Sequence, residues 1–307
     1  MEKMPLPLAN PPAQSCALGH LPVIDRAAHG YDAPAPLRLW HLASLDAPTV
    51  AVVWSLAFAW AAGLHLPAWV PVLLALTTWS VYIGDRLLDA YAGLRSNALD
   101  RLRERHLFHW RHRLVLAPAA FGAAAASAAI ILTLMPDLLR RHDSVLAAAA
   151  LAYFSGVHSR RKPPSWLAPL LSKEFLVGVL FTAGCALPTL SQMPISFGTV
   201  RQVTPLFAAI AFLAALAWLN CHAIESWESR KTGSRIFAEG CFIGAAGLAL
   251  SVAIAPIHFR IAALLVAGAA AAFLIALLDC RRRHFTSVAL RAAADLVLLT
   301  PIFLLAR

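Results

Sequence analysis

The chain has 307 residues, of which 60% are hydrophobic and 14% charged, and its mean hydropathy is +0.67. That composition excludes an ordinary water-soluble domain and makes the bilayer the natural solvent. The formal net charge of +10 sits in short stretches between apolar segments and forms no separate basic domain, so it points to anionic lipid headgroups or an anionic substrate and away from nucleic acid.

Residues 1–40 contain Pro5, Pro7, Pro11, Pro12, Pro22, Pro34 and Pro36 and no apolar h-region. They read as a mostly disordered cytoplasmic tail and not as a cleaved signal peptide. Residues 41–307 read as a transmembrane helical domain. Apolar windows of membrane length fall near 47–66, 68–90, 114–135, 143–158, 166–190, 203–224, 237–256, 259–279 and 287–306. Runs such as Val145 to Ala152 show no alternation of two, which argues for helices over a β-barrel. The predicted fold is therefore all-α: a polytopic membrane helical bundle of about nine transmembrane helices, the fourth of them short.

Lys and Arg orient the bundle, because short loops rich in them stay cytoplasmic. Connections after the second, fourth, sixth and eighth windows carry Arg95, Arg101, Arg103, Arg105, Arg111 and Arg113; Arg160, Arg161 and Lys162; Arg230, Lys231 and Arg235; and Arg281, Arg282 and Arg283. The opposite connections offer only Arg140 and Arg141, Arg201, and Arg260. The N-terminus is expected inside, the C-terminus outside and the polar face cytoplasmic, in the cell membrane. Cys16, Cys185, Cys221, Cys241 and Cys280 include no CxxC pair, so neither a disulfide framework nor a zinc site is indicated.

Two places put acids at predicted helix ends on that face. In Tyr82-Ile83-Gly84-Asp85-Arg86-Leu87-Leu88-Asp89, the two Asp stand four residues apart and so about 40° apart on one helical face, with Tyr82 one turn earlier. In the stretch from Asn220 to Arg230, Asn220, Glu225 and Glu228 share a sector. Charges at a helix end that snorkel to the interface account for either place alone. Acids on two helices facing one another instead suit Mg²⁺ bridging to a diphosphate, whose departure from an allylic carbon builds charge that metal and nearby Arg or Lys stabilise.

These residues resemble the UbiA-type intramembrane prenyltransferases, which have nine helices, an inside N-terminus and acidic motifs after the second and sixth helices. Asp85, Arg86 and Asp89 match the latter half of the family's first motif, with Val81 and Tyr82 where it has Asn-Asp. Glu225, Arg230, Gly233 and Arg235 resemble the second, with Ser229 at its second acid and Glu228 one residue early. The resemblance implies a Mg²⁺-dependent transferase moving an isoprenoid chain from a prenyl diphosphate to an aromatic or other lipophilic acceptor. It assigns the metal and catalysis to Asp85, Asp89, Glu225 and Glu228, and substrate binding to Tyr82, Arg86, Lys173, Asn220 and Arg230. The absent Asn-Asp leaves an alternative, a non-catalytic lipid carrier or transporter that keeps the fold with a degenerate metal site.

Other polar residues have simpler readings. Lys173, beside Glu174, reaches either a diphosphate or an acid of another helix. His106, His109 and His112 recur every third residue among arginines and read as a basic loop helix on anionic lipid, placed to cap a cavity. Arg291 and Asp295, one turn apart, read as an intrahelical ion pair, and His222 as a packing or hydrogen-bonding residue with a possible base role.

Overall fold

The computed structural model describes residues 31–95, 102–137, 139–141, 144–145, 148, 173–193, 200–229 and 235–306. These are helical apart from short connections and an isolated bridge between Tyr31 and Phe285. The helices are α1 (Ala35–Leu42), α2 (Asp46–Ala62), α3 (Trp69–Arg95), α4 (Glu104–Arg111), α5 (Arg113–Thr133), α6 (Lys173–Leu190), α7 (Val200–Glu228), α8 (Ile236–Ile254), α9 (Phe259–Arg281), α10 (Ser287–Val297) and α11 (Ile302–Leu305).

The chain is an integral membrane helical bundle. Among the described residues, five segments are long and apolar enough to cross a bilayer: Arg113–Thr133, Val203–Glu228, Ile236–Ile254, Phe259–His284 and Ser287–Leu305. The pair Ala35–Leu42 and Asp46–Ala62 makes a sixth if counted as one broken span. Helix α3 has the length, but Thr77, Thr78, Ser80, Asp85, Arg86 and Asp89 make it polar from its middle onward. The window at 143–158 lies almost wholly outside the described residues. Ala35–Leu42, which falls largely within the stretch assigned to the tail, is a helix that starts at Pro34 and Pro36.

Between α1 and α2 the chain bends by 88°, through Ser44 at φ 59°. A helix end that turns so sharply leaves carbonyls without intrahelical donors. Two side chains of α3 supply them: Trp79 Nε1 donates to the Ala43 carbonyl at 3.0 Å and Arg86 Nη1 to the His41 carbonyl at 3.1 Å. The bend thereby fixes the depth of α3 against α2 and brings His41 and Asp46 to one point.

The apolar core lies among α2, α6, α7 and α9, around Trp54, Phe58, Leu213, Leu216, Leu265 and Ile275. Close approach of α8 to α9 depends on glycine: a Cβ at Gly240 would stand 2.9 Å from the Ala272 carbonyl oxygen and from the Ala276 Cβ. The last predicted span is broken, with α10 ending at Val297 and α11 beginning after Pro301, which has no N–H to continue a helix. Trp54 Nε1 donates to the Leu298 carbonyl freed at this break, at 2.9 Å. Phe121, Phe242 and Val252 stand outward, as lipid-facing side chains do.

Candidate functional site: a basic cap over a buried acidic cluster

The polar end of the bundle has two layers. The deeper one draws on five helices. His41 of α1 places Nδ1 2.6 Å from Asp46 Oδ2, at the first residue of α2, and 3.6 Å from Asp295 Oδ2 of α10. Asp46 Oδ1 also accepts from the Ala47 backbone N–H at 2.9 Å. Arg86 of α3 stands 3.6 Å from Asp46 Oδ2, and Asn220 Nδ2 of α7 donates to Asp295 Oδ1 at 3.1 Å. His41, Asp46, Arg86 and Asn220 are all buried. Beside this layer lies a cavity of about 50 Å³ lined by Val50, Tyr82, Phe181, Asn220, Asp295 and Leu298, among others. That volume suits a few waters and not an isoprenoid chain.

Helix α4 forms the outer layer. The side chain of Glu228, at the C-terminal end of α7, is 8% exposed and meets three guanidinium groups: Arg291 at 2.6 Å, Arg105 at 3.1 Å and Arg103 at 3.2 Å. One carboxylate against three guanidiniums leaves a local excess of positive charge. Glu104 of α4 pairs with Arg38 of α1, which ties the cap to the bent helix pair. Burial lowers the basicity of Arg105, and the Glu228 carboxylate opposes that effect.

Two of the three α4-region histidines point inward, which revises their reading as a lipid-facing stripe; His112 alone of the three is exposed. His109 Nδ1 donates to the Arg105 carbonyl at 2.7 Å, so Nε2 is left to accept from the Ser44 hydroxyl at 3.0 Å. Both bonds suit a neutral ring, and burial, more than any other cause, pushes its pKa down to about 4. His106 is pushed down to about 3 by burial and then by Arg105. Its 4.0 Å approach to Asp89 is therefore not an ion pair at neutral pH.

The residues nominated from sequence divide between the layers. Tyr82 lines the cavity beneath Arg86, whose guanidinium lies 5.8 Å from the ring centroid. Arg86 and Asn220 belong to the buried cluster, and Glu228 to the cap. Asp85 and Asp89 are half-exposed on α3, and Glu225 is exposed on α7. Arg230 lies outside the described residues, as does the side chain of Lys173.

Asp85, Asp89, Glu225 and Glu228 do not converge on a single ion. Among the described residues, one group of three or more His, Cys, Asp or Glu side chains brings ligand atoms within 4.8 Å of one another, and it is His41, Asp46 and Asp295. With Glu228 engaged by three arginines, the donors do not fit one Mg²⁺ ion held by these four acids. Arg291 and Asp295 do not pair with each other either. Arg291 turns to Glu228, and Asp295 meets His41 and Asn220, because these partners sit on neighbouring helices within reach. His222 stacks on Trp218 and approaches Glu239 at 3.7 Å.

Sequence reasoning missed His41 and Asp46 because they fall at the seam between tail and first span. The signal was present: an Asp opening an apolar window, with His five residues before it. No family model, curated protein or solved structure matches this chain.

Proposed function

We propose that the chain is a UbiA-like prenyltransferase of about nine spans, N-terminus inside, working at the cytoplasmic face of the cell membrane. It would move an isoprenoid chain from an allylic diphosphate to an aromatic or other lipophilic acceptor. One observation carries this reading: the capping helix α4 meets both acidic helices, with Arg105 3.1 Å from Glu228 at the end of α7 and His106 4.0 Å from Asp89 in the last turns of α3. The two acidic helix ends thus flank a shared pool of guanidinium groups with positive charge to spare.

Such a pool suits a diphosphate. Arg103, Arg105 and Arg291 present bidentate donors, and charge-assisted bonds to phosphoryl oxygens strengthen as the allylic C–O bond breaks and the leaving group takes the electron pair. The acceptor then forms the new bond to the allylic carbon and loses a proton. The apolar walls between α2, α6 and α7 are the surface against which a prenyl tail would lie, once side chains such as Phe181 part.

A second reading, a lipid carrier or transporter without turnover, draws support from the engagement of Glu228 and Arg86 in internal ion pairs. Purified protein in lipid, given labelled allylic diphosphates and candidate acceptors with and without Mg²⁺, separates the two. Pyrophosphate release that Arg105→Ala abolishes supports the enzyme. Retention of intact prenyl lipid with no release favours the carrier.

A further inference from the structure

The buried layer is short of positive charge. Asp46 and Asp295 bring two carboxylates into a region where Arg86 supplies one guanidinium, so the second negative charge needs either a proton on His41, which stands between them, or a bound cation. The same place is short of a donor. Asn220 is 6% exposed and spends Nδ2 on Asp295, while its Oδ1 has no hydrogen-bond partner. An amide oxygen can only accept, so the group it lacks is a donor or a cation. Asn220 and Asp295 both line the cavity of about 50 Å³, whereas His41 and Asp46 do not, so an ion shared by all four would sit at the Asp295 edge of the cavity with room beside it for a water or two.

We infer that His41, Asp46 and Asp295, completed by Asn220 Oδ1, form a binding site for one first-row divalent transition-metal ion. One imidazole nitrogen with three oxygens is a borderline donor set that suits Zn²⁺ or Mn²⁺. Mg²⁺ favours all-oxygen octahedra and binds imidazole poorly. The three side chains come from three helices, α1, α2 and α10, and their ligand atoms already lie within 4.8 Å of one another. A tetrahedral zinc site has ligand atoms about 3.3 Å apart. The His41–Asp295 separation of 3.6 Å is close to that, and the His41–Asp46 separation of 2.6 Å opens by less than an ångström when a metal replaces the shared proton. Arg86 stands 3.6 Å from Asp46 Oδ2 and is not among the residues lining the cavity that Asp295 lines. The ion would tie the bent α1–α2 pair to the last span.

This site stands apart from the diphosphate reading, and its test uses no diphosphate. The full-length protein, stripped with a chelator and freed of any affinity tag, is titrated with Co²⁺ as a spectroscopic stand-in and then with Zn²⁺ and Mn²⁺. The expected result is one equivalent bound, with visible d–d absorption, a raised melting temperature, and affinity lowered about tenfold or more in Asp295→Asn and His41→Gln. His222→Ala, whose ring stacks on Trp218 and approaches Glu239 and touches none of the proposed ligands, should change none of these. Should the variants fail to fold, the wild-type titration decides alone. Folded wild-type protein that takes up no ion and gains no thermal stability would show that imidazolium alone balances the cluster, and would overturn the site. Uptake that survives unchanged in a folded Asp295→Asn would overturn it equally.

Discussion

Arg291 of α10 reaches Glu228 of α7 at 2.6 Å and leaves Asp295, one turn along its own helix, to His41 and Asn220. The exchange joins the last span to the acidic helix end and puts the third guanidinium on Glu228.

Removal of the Glu228 charge should therefore destabilise the cap by leaving three guanidiniums without their anion. Glu228→Gln is expected to cost roughly 2–4 kcal/mol, at or below the range for a fully buried pair, because Arg103 is 38% exposed. Added pyrophosphate should restore much of the lost melting temperature in this variant and do less in wild type. A variant as stable as wild type, or one indifferent to pyrophosphate, would argue against an anion site there.

Docking of α4 should fail in acid. His106 and His109 have native pKa values of about 3 and 4, both below the ordinary 6.5, so the unfolded or undocked segment binds protons that the docked one refuses. Their contribution is whole above pH 6.5, falls as pH drops below it, and stops falling below about pH 3. Amide protection along Glu104–Arg111, taken relative to the intrinsic exchange rate at each pH, should fall from pH 6.5 toward pH 4, and His109→Gln, which cannot take a proton, should flatten part of that fall. The groups facing these rings are Ser44, Asp46, Asp89, Arg86, Arg103 and Arg105, so a partial flattening in His109→Gln separates that ring from the carboxylates.

Glycine at the α8–α9 contact makes a stability prediction with an internal control. Gly240→Ala would press a methyl group against the Ala272 carbonyl and Ala276 Cβ at 2.9 Å, where neither backbone nor a short side chain can yield. Overpacking of this kind costs about 1–3 kcal/mol. Gly122→Ala, on α5 with no atom within 4 Å of the added carbon, should be neutral or slightly stabilising. Thermal unfolding of the two variants side by side checks this.

Much of the bundle was legible from hydropathy, since windows of twenty apolar residues in Arg113–Thr133, Ile236–Ile254 and Phe259–Arg281 have no other stable fate than a helix. The α1–α2 bend was not, because it depends on one left-handed residue, Ser44, and on donors from Trp79 and Arg86 far along the chain. The acids at Asp89 and Glu228 were visible as interruptions of apolar helices. Which arginine each would meet was not, because helical spacing ranks neighbours on one helix only, and Arg291 found its partner across an interface.

Topology can be read with the protein's own chemistry. Cys280 is exposed at the end of α9 beside Arg281, Arg282 and Arg283, a basic connection that should stay cytoplasmic. The turn from Gly63 to Ala68 carries no Lys or Arg and should lie outside, with His65 as a convenient site for a cysteine. In a Cys16→Ser background, a membrane-impermeant maleimide added to right-side-out vesicles should label His65→Cys and spare Cys280, and permeabilisation should expose Cys280. On the proposed topology, an inside N-terminus with basic even connections would leave the C-terminus outside, as an odd number of spans requires. Labelling of Cys280 in sealed right-side-out vesicles would invert the bundle and move the basic cap, with its excess of guanidinium over carboxylate, to the face opposite the cytoplasm, where a cytoplasmic prenyl diphosphate would not reach it.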